Sequence, residues 1–240
     1  MQLYLYLKIM NNGFVYVASK LKKFISAARY SANSLKDHWP SANITLFTHE
    51  EWLKESDYSL FNNIITKEIP NHKRAKLWAL DKTPYNLTCY IDCDTWIEHS
   101  DIKFIFNQHD NNSDITITKT RKYAAAIDPS FKGGELTDHC GLFIYNNKKH
   151  TLNFMKQWWL LYCKQDDGSW KWNTDLYPEY LRPWDMWTYW WLQNKTEHKI
   201  KRSYFPDPDA KWNFVYVYKE QELKGHNKVI SHQPLPRAND

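Results

Sequence analysis

The chain has few cysteines and few glycines. Cys89, Cys93, Cys140 and Cys163 form no C-x-x-C pair and no disulfide framework. Their spacing speaks against zinc and for reduced, mostly buried thiols. No apolar run approaches the roughly 18 residues that a membrane helix needs. The N-terminal "MQLYLYLKIMNNG" is interrupted by Gln2, Tyr4, Tyr6 and Lys8, and no small-residue cleavage signal follows it. It reads as a strand, so no membrane span is expected and the cytoplasm is the default location. No internal repeat, low-complexity block or linker appears, and one core is the simpler reading of 240 residues. Lys and Arg are scattered, so a net charge of +5 favours anionic ligands only weakly. An RNP, zinc-finger or helix-turn-helix signature is also missing, and no nucleic-acid partner is expected.

What is present is an ordinary globular composition, 42% hydrophobic and 25% charged, which sets aside the disordered and fibrous classes. The aromatic load is unusual: 13 Trp and 16 Tyr stand beside only 6 Gly. Part of it must be core, and part is free to stack on sugars or bases.

The pattern along the chain is that of an α/β protein. "GFVYVAS" (13–19) is an apolar β-rich run, and Phe24, Ala28, Ala32 and Leu35 follow at helical spacing. "ANITLFTHE" (42–50) restarts a strand, which completes a β-α-β unit of an open sheet. "NHKRAKLWALDKTPYN" (71–86) reads as a basic helix that ends at Thr83-Pro84, and Leu87–Ile91 then forms a strand. Further strands are expected over 114–118, 139–147 and 228–232, with helices from about Lys149 to Lys164 and after Pro183. A mixed sheet follows from this order.

The strand ending at Ile91 leads into Asp92-Cys93-Asp94. Alternate residues on an extended chain point the same way, so both carboxylates can face one hard cation such as Mg²⁺ or Mn²⁺. The tripeptide alone proves little, since Asp207-Pro208-Asp209 repeats it between prolines with no strand before it. Context carries the claim: ligands of open α/β sheets sit beyond the carboxyl ends of strands. Two enzyme classes fit. A haloacid-dehalogenase-type phosphatase needs Thr or Val where Trp96 stands, and its later acidic motif would fall on "DDG" (166–168), which no strand precedes.

The second class matches over a longer span. "KLWALDKTPYNLTCYIDCDTWI" resembles the helix, T-P-Y turn and D-x-D-T strand of GT-A nucleotide-sugar glycosyltransferases. "VYVASKLKKFISAARYSANSLK" is similar to their first strand and helix, "ITLFTHE" to their second strand and "FPDPDAKWNF" to a late loop. The resemblance covers roughly residues 13–235 and is nearest to glycosyltransferase family 8-like and phage or viral enzymes. It implies a single GT-A domain, a Rossmann-like open mixed sheet flanked by helices. Residues 13–100 would be the nucleotide-binding half and 101–240 the acceptor half. The implied activity is metal-dependent transfer of a sugar from a nucleotide donor, by family expectation a UDP-sugar, to a glycan or other hydroxyl acceptor, with retention. The location would be the host cytoplasm if the chain is viral. The alternatives are a catalytically inactive glycan-binding relative and the phosphatase above.

The resemblance also assigns roles. Asp94 would ligate Mn²⁺ or Mg²⁺, and Asp92 the metal or the donor ribose. His232 would be the third ligand, with His226 second in line, although "HQPLPRAND" lacks the Gly, Lys and Trp of the family signature. Val17, Ala18 and Ser19 would hold base and ribose. Arg74 or Lys76, with Lys73 on the same face, would reach the diphosphate. Gly141 would allow close backbone approach to a ligand. Asp185 would lie beside the sugar, with Met186 where relatives carry Gln. An inverting route would need a carboxylate base, for which Asp138, Asp185 or Asp175 is available. Trp170 and Trp172 are candidates for an acceptor groove.

Overall fold

β1 (Met10–Ala18) alternates its apolar residues between two buried faces, Phe14, Tyr16 and Ala18 on one and Val15 and Val17 on the other. Residues buried on both sides read as the continuous apolar run of a central parallel strand. The computed structural model describes residues 10–119, 138–177, 179–215 and 219–232, so most of the N-terminal segment expected to be a strand lies outside the described residues. After β1 come α1 (Lys22–His38), β2 (Ile44–Thr48), α2 (Asp57–Leu60), β3 (Asn63–Ile65), α3 (Ala75–Ala79), β4 (Tyr85–Ile91) and β5 (Thr95–Ile97). The second part holds β6 (Ile115–Lys119), β7 (Asp138–Asn146), α4 (Lys149–Asp166), α5 (Asp185–Lys195), β8 (Arg202–Tyr204) and β9 (Ile230–His232).

Seven strands form one sheet in the order β3-β2-β1-β4-β7-β6-β8. β1 pairs in parallel with β2 and β4, and β7 runs antiparallel between β4 and β6. This is the mixed open sheet expected from the sequence. On one face α1 buries Ile25, Ala28, Ala32 and Leu35 against Phe14, Ile44 and Leu142. On the other, α4 and α5 cover Val15, Phe143 and Tyr145 with Trp158, Trp187 and Tyr189. α5 is buried almost all round, from Asp185 to Trp190, as an apolar helix between two layers should be.

Two departures from the sequence reading matter for the site. The basic helix is shorter than expected: α3 begins only at Ala75, because the His72 ring accepts from the Arg74 backbone N–H at 2.9 Å and turns the chain before it. Lys73 and Arg74 therefore lie in the turn ahead of the helix. The late strand does form, as β9, but it pairs with β5 in a separate two-stranded sheet, Thr95 opposite His232. No sequence signal announced β5.

Gly13 shows how tightly β1 and β4 approach. A Cβ there would lie 2.2 Å from the Tyr85 ring, so only hydrogen fits.

Candidate active site

β4 and β7 deliver the first elements of the site. Asp92 leaves the end of β4 with its backbone N–H donating to the Gly141 carbonyl at 2.9 Å. Cys93 turns inward, its thiol donating to the Val17 carbonyl at 3.3 Å. Asp92 and Asp94, on either side of it, stay partly exposed at the same edge. Thr95 fixes this turn: its hydroxyl bonds the Asp92 carbonyl at 2.9 Å and Ser31 of α1 at 2.7 Å. The β5–β9 pairing then sets His232 across from Thr95 and so next to Asp94, with Nδ1 3.7 Å from Oδ1. One ligand atom each of Asp92, Asp94 and His232 lies within 4.8 Å of the others.

Two carboxylates and an imidazole suit a hard or borderline divalent ion such as Mn²⁺ or Mg²⁺. Gly141 leaves the necessary room. A Cβ at 141 would stand 2.9 Å from Asp92 Oδ2 and 3.0 Å from the His232 ring, filling the space between them. The three residues could therefore hold a metal, and the sequence reading named all three.

A basic wall faces them. Lys76, almost fully buried on α3, places its ammonium 3.2 Å from Asp92 Oδ1, 2.9 Å from Asp185 Oδ2 and 2.9 Å from the Cys140 carbonyl. Burial disfavours its charge, but Asp185 and Asp92 outweigh burial and raise the Lys76 pKa above the ordinary lysine value. Asp185 opens α5, with Arg74 3.7 Å away. Burial pushes its carboxyl up, and Lys76 and Arg74 more than reverse that, holding it at about 2. Asp94 behaves similarly: burial raises it, and the His232 ring beside it, with Lys76 behind, brings it below the usual carboxylate range.

Between the acidic pair and the basic wall opens a cleft of about 230 Å³, lined by Val17, Ser19, Phe24, His72, Lys73, Arg74, Lys76, Tyr90, Asp92 and Asp94 among others. Most candidates from the sequence therefore converge. Ala18 is fully buried on the α1 face and does not line the cleft, although both its neighbours do. Ser19 already donates to the Pro70 carbonyl at 2.5 Å and contacts His49 at 2.8 Å.

Others lie apart. Asp138, at the start of β7, pairs with Arg202 and is not among the cleft-lining residues; burial, only partly offset by Arg202, raises its pKa. Asp175 and His226 are exposed and outside the cluster. Trp170 and Trp172 pack with Tyr177, Trp187 and Trp191 and pin the loop after α4 onto α5. Asp166 and Asp167 fall at the end of α4, not after a strand as a phosphatase motif requires.

Three residues that sequence reasoning passed over complete the site. Tyr90 donates to Asp92 Oδ1 at 2.5 Å; its place two residues before Asp92 on one strand was the available signal. Asn213 and the half-buried His139 stand behind His232, with Asn213 2.7 Å from its Nε2 and 2.9 Å from His139 Nδ1. Burial above all pushes His139 down to about 3, so it is neutral. Asn213 comes from the segment likened to a late loop, and no local pattern marked it.

No protein-family model and no curated protein sequence matches the chain. Solved structures do. The glycosyltransferase GlyE of Streptococcus pneumoniae TIGR4 superposes with a TM-score of 0.61 at 15% identity over 93% of this chain and 55% of its own, so the chain spans about half the length of that protein. The galactosyltransferase LgtC, solved with donor and acceptor sugar analogs, gives 0.54 at 12% identity over 93% and 87%. A glycosyltransferase involved in glycosylation of the major capsid of PBCV-1 gives 0.51 at 10% identity, covering 92% of both chains. At such identities the likeness is one of architecture, and the architecture of this chain is the GT-A glycosyltransferase fold.

Proposed function

We propose that this protein is a metal-dependent glycosyltransferase that moves a sugar from a nucleoside-diphosphate donor, a UDP-sugar by expectation, to a glycan or other hydroxyl acceptor. The observation that carries this reading is the convergence of Asp92, Asp94 and His232, with Asp92 and Asp94 lining a cleft that Lys73, Arg74 and Lys76 also line. A bound Mn²⁺ or Mg²⁺ would supply Lewis-acid stabilisation of the departing nucleoside diphosphate. Lys73, exposed at the cleft, and Arg74 would bind the diphosphate. Lys76 orients Asp92 and Asp185. Val17 and Ser19, with the Ala18 backbone between them, would hold base and ribose. In this reading residues 13–100 form the donor half and 101–240 the acceptor half, and kinship lies with family 8-like and phage or viral enzymes.

Two features favour retention over inversion. An inverting enzyme needs a carboxylate poised to accept a proton. Asp185 is held ionised by two cations and is a weak base, while Asp138 is committed to Arg202 outside the cleft. Among the described residues no helix is long and apolar enough to cross a membrane.

Thermal melting with UDP, GDP, CDP and ADP, each with Mn²⁺ or EDTA, tests the reading. Ligand at a hundredfold its Kd adds about 2.7 kcal/mol, or roughly 5–10 °C for a chain of this size. The expected result is a Mn²⁺-dependent shift with UDP that Asp94→Ala abolishes. No shift with any nucleotide at saturation would overturn it.

A further inference from the structure

Asn213 is 1% exposed and spends its whole side-chain amide inside the protein. One end faces His232 Nε2 at 2.7 Å; the other reaches Thr118 Oγ1 at 2.7 Å and His139 Nδ1 at 2.9 Å. Which end is oxygen decides where the His232 proton sits. A backbone group settles this. The Gly141 N–H points at His139 Nδ1 from 3.3 Å, so that nitrogen is an acceptor and carries no proton. Asn213 must then present its NH₂ to His139, which also suits the Thr118 hydroxyl as second acceptor. Its carbonyl oxygen is left facing His232.

A carbonyl oxygen cannot donate, so His232 Nε2 must. In a neutral ring the lone pair then falls on Nδ1, the nitrogen that faces Asp94. We propose that Asn213 is a positioning residue: it locks His232 as the Nε2-protonated tautomer and aims the Nδ1 lone pair at the space between Asp92 and Asp94. The chain of constraint runs from the backbone N–H of Gly141 through His139 and Asn213 to His232. Gly141 thus serves twice, since its missing Cβ keeps the same space open.

The metal part of this inference rests on the proposed function, whereas the tautomer does not. Two measurements keep them distinct. Long-range proton–nitrogen correlation spectra of nitrogen-labelled, metal-free protein in EDTA at mildly alkaline pH read the His232 ring directly. A protonated Nε2 is expected; a bare Nε2 overturns the proposal whether or not the protein binds metal, and this needs no variant to fold. Calorimetric titration with Mn²⁺ alone then compares wild type, Asn213→Ala and Asp94→Ala. Loss of a partner that orients a ligating histidine costs about 10–100-fold in metal affinity, and that is the fall expected for Asn213→Ala. Unchanged Mn²⁺ affinity in Asn213→Ala overturns the positioning role. Unchanged affinity in Asp94→Ala instead defeats the metal reading, and the spectra still decide the tautomer.

Discussion

Replacing Lys76 by Met removes one buried ammonium from between two carboxylates and leaves the chain length and much of the side-chain volume in place. In the native protein that ammonium lies 2.9 Å from Asp185 and 3.2 Å from Asp92. Asp92 reaches water and keeps Tyr90, so it tolerates the loss. Asp185 is 4% exposed and, among the described residues, retains only Arg74 as a cationic neighbour, at 3.7 Å. Breaking a buried pair by removing one partner costs about 3–5 kcal/mol, because the remaining charge is uncompensated. At roughly 2–4 °C per kcal/mol for a chain of this size, melting should fall by about 6–20 °C in EDTA at neutral pH.

The pH dependence of this variant is more diagnostic than its size. In wild type the folded Asp185 pKa is depressed, to about 2, so its stabilisation is present above the unfolded value and lost as pH falls toward 2. In Lys76→Met burial is opposed chiefly by Arg74 and the folded pKa rises, so acidification neutralises the stranded carboxylate and relieves the defect. Urea melts of the two proteins at neutral pH and near pH 4 should show the gap between them narrowing. A gap below about 1 kcal/mol at neutral pH, or one that stays constant on acidification, would refute the role given to Lys76.

Other expectations follow from close contacts. Gly141→Ala puts a methyl 2.9 Å from Asp92 Oδ2 and 2.6 Å from the His139 ring, so Mn²⁺ binding measured by calorimetry should be lost while the far-ultraviolet circular dichroism is kept; wild-type affinity would sink the cradle. Gly13→Ala drives a methyl into the Tyr85 ring at 2.2 Å, and overpacking of this kind costs about 1–3 kcal/mol, readable as a lowered urea midpoint. Asp57, 1% exposed, accepts from Arg29 Nε and Nη2, each at 2.7 Å, and from the Lys54 N–H at 2.8 Å. Asp57→Ala should cost about 1.5–3 kcal/mol. Burial raises the Asp57 pKa and the Arg29 and Lys54 bonds outweigh it, so the difference from wild type should be full above pH 4 and vanish as pH falls below the depressed folded value. A difference independent of pH would show that the carboxylate is not the stabilising group.

How much of this was legible in the sequence depends on the range of the interactions. The run Phe14 to Ala18, the helical spacing of Ala28, Ala32 and Leu35, and the strand entering Asp92 are local patterns, and they gave the α/β class, the mixed sheet and the acidic pair. The turn ahead of α3 escaped because a single side-chain bond, His72 to the Arg74 N–H, overrides basic-helix periodicity. The Ala18 side chain sits on the β1 face that packs against α1, whereas the cleft lies on the Val17 side, a pleat that the strand run alone did not resolve.

The rest required three dimensions. Lys76 and Asp185 are far apart along the chain and become an ion pair only because α3 and α5 pack on the same face of the sheet. His232 becomes a neighbour of Asp94 through β5–β9 pairing; the late strand was legible, but its three-residue partner β5 carries too little periodicity to announce itself. Asn213 and His139 are ordinary polar residues in sequence; their hydrogen bonds beside His232 give them a role. The sequence by itself determined the long central strands and where the carboxylates leave the sheet, since alternation and helical spacing are written in neighbouring residues. Only the tertiary structure decided which cations and which imidazole meet those carboxylates, because hydrogen bonds and ion pairs act over a few ångströms and the fold alone brings distant residues within that reach.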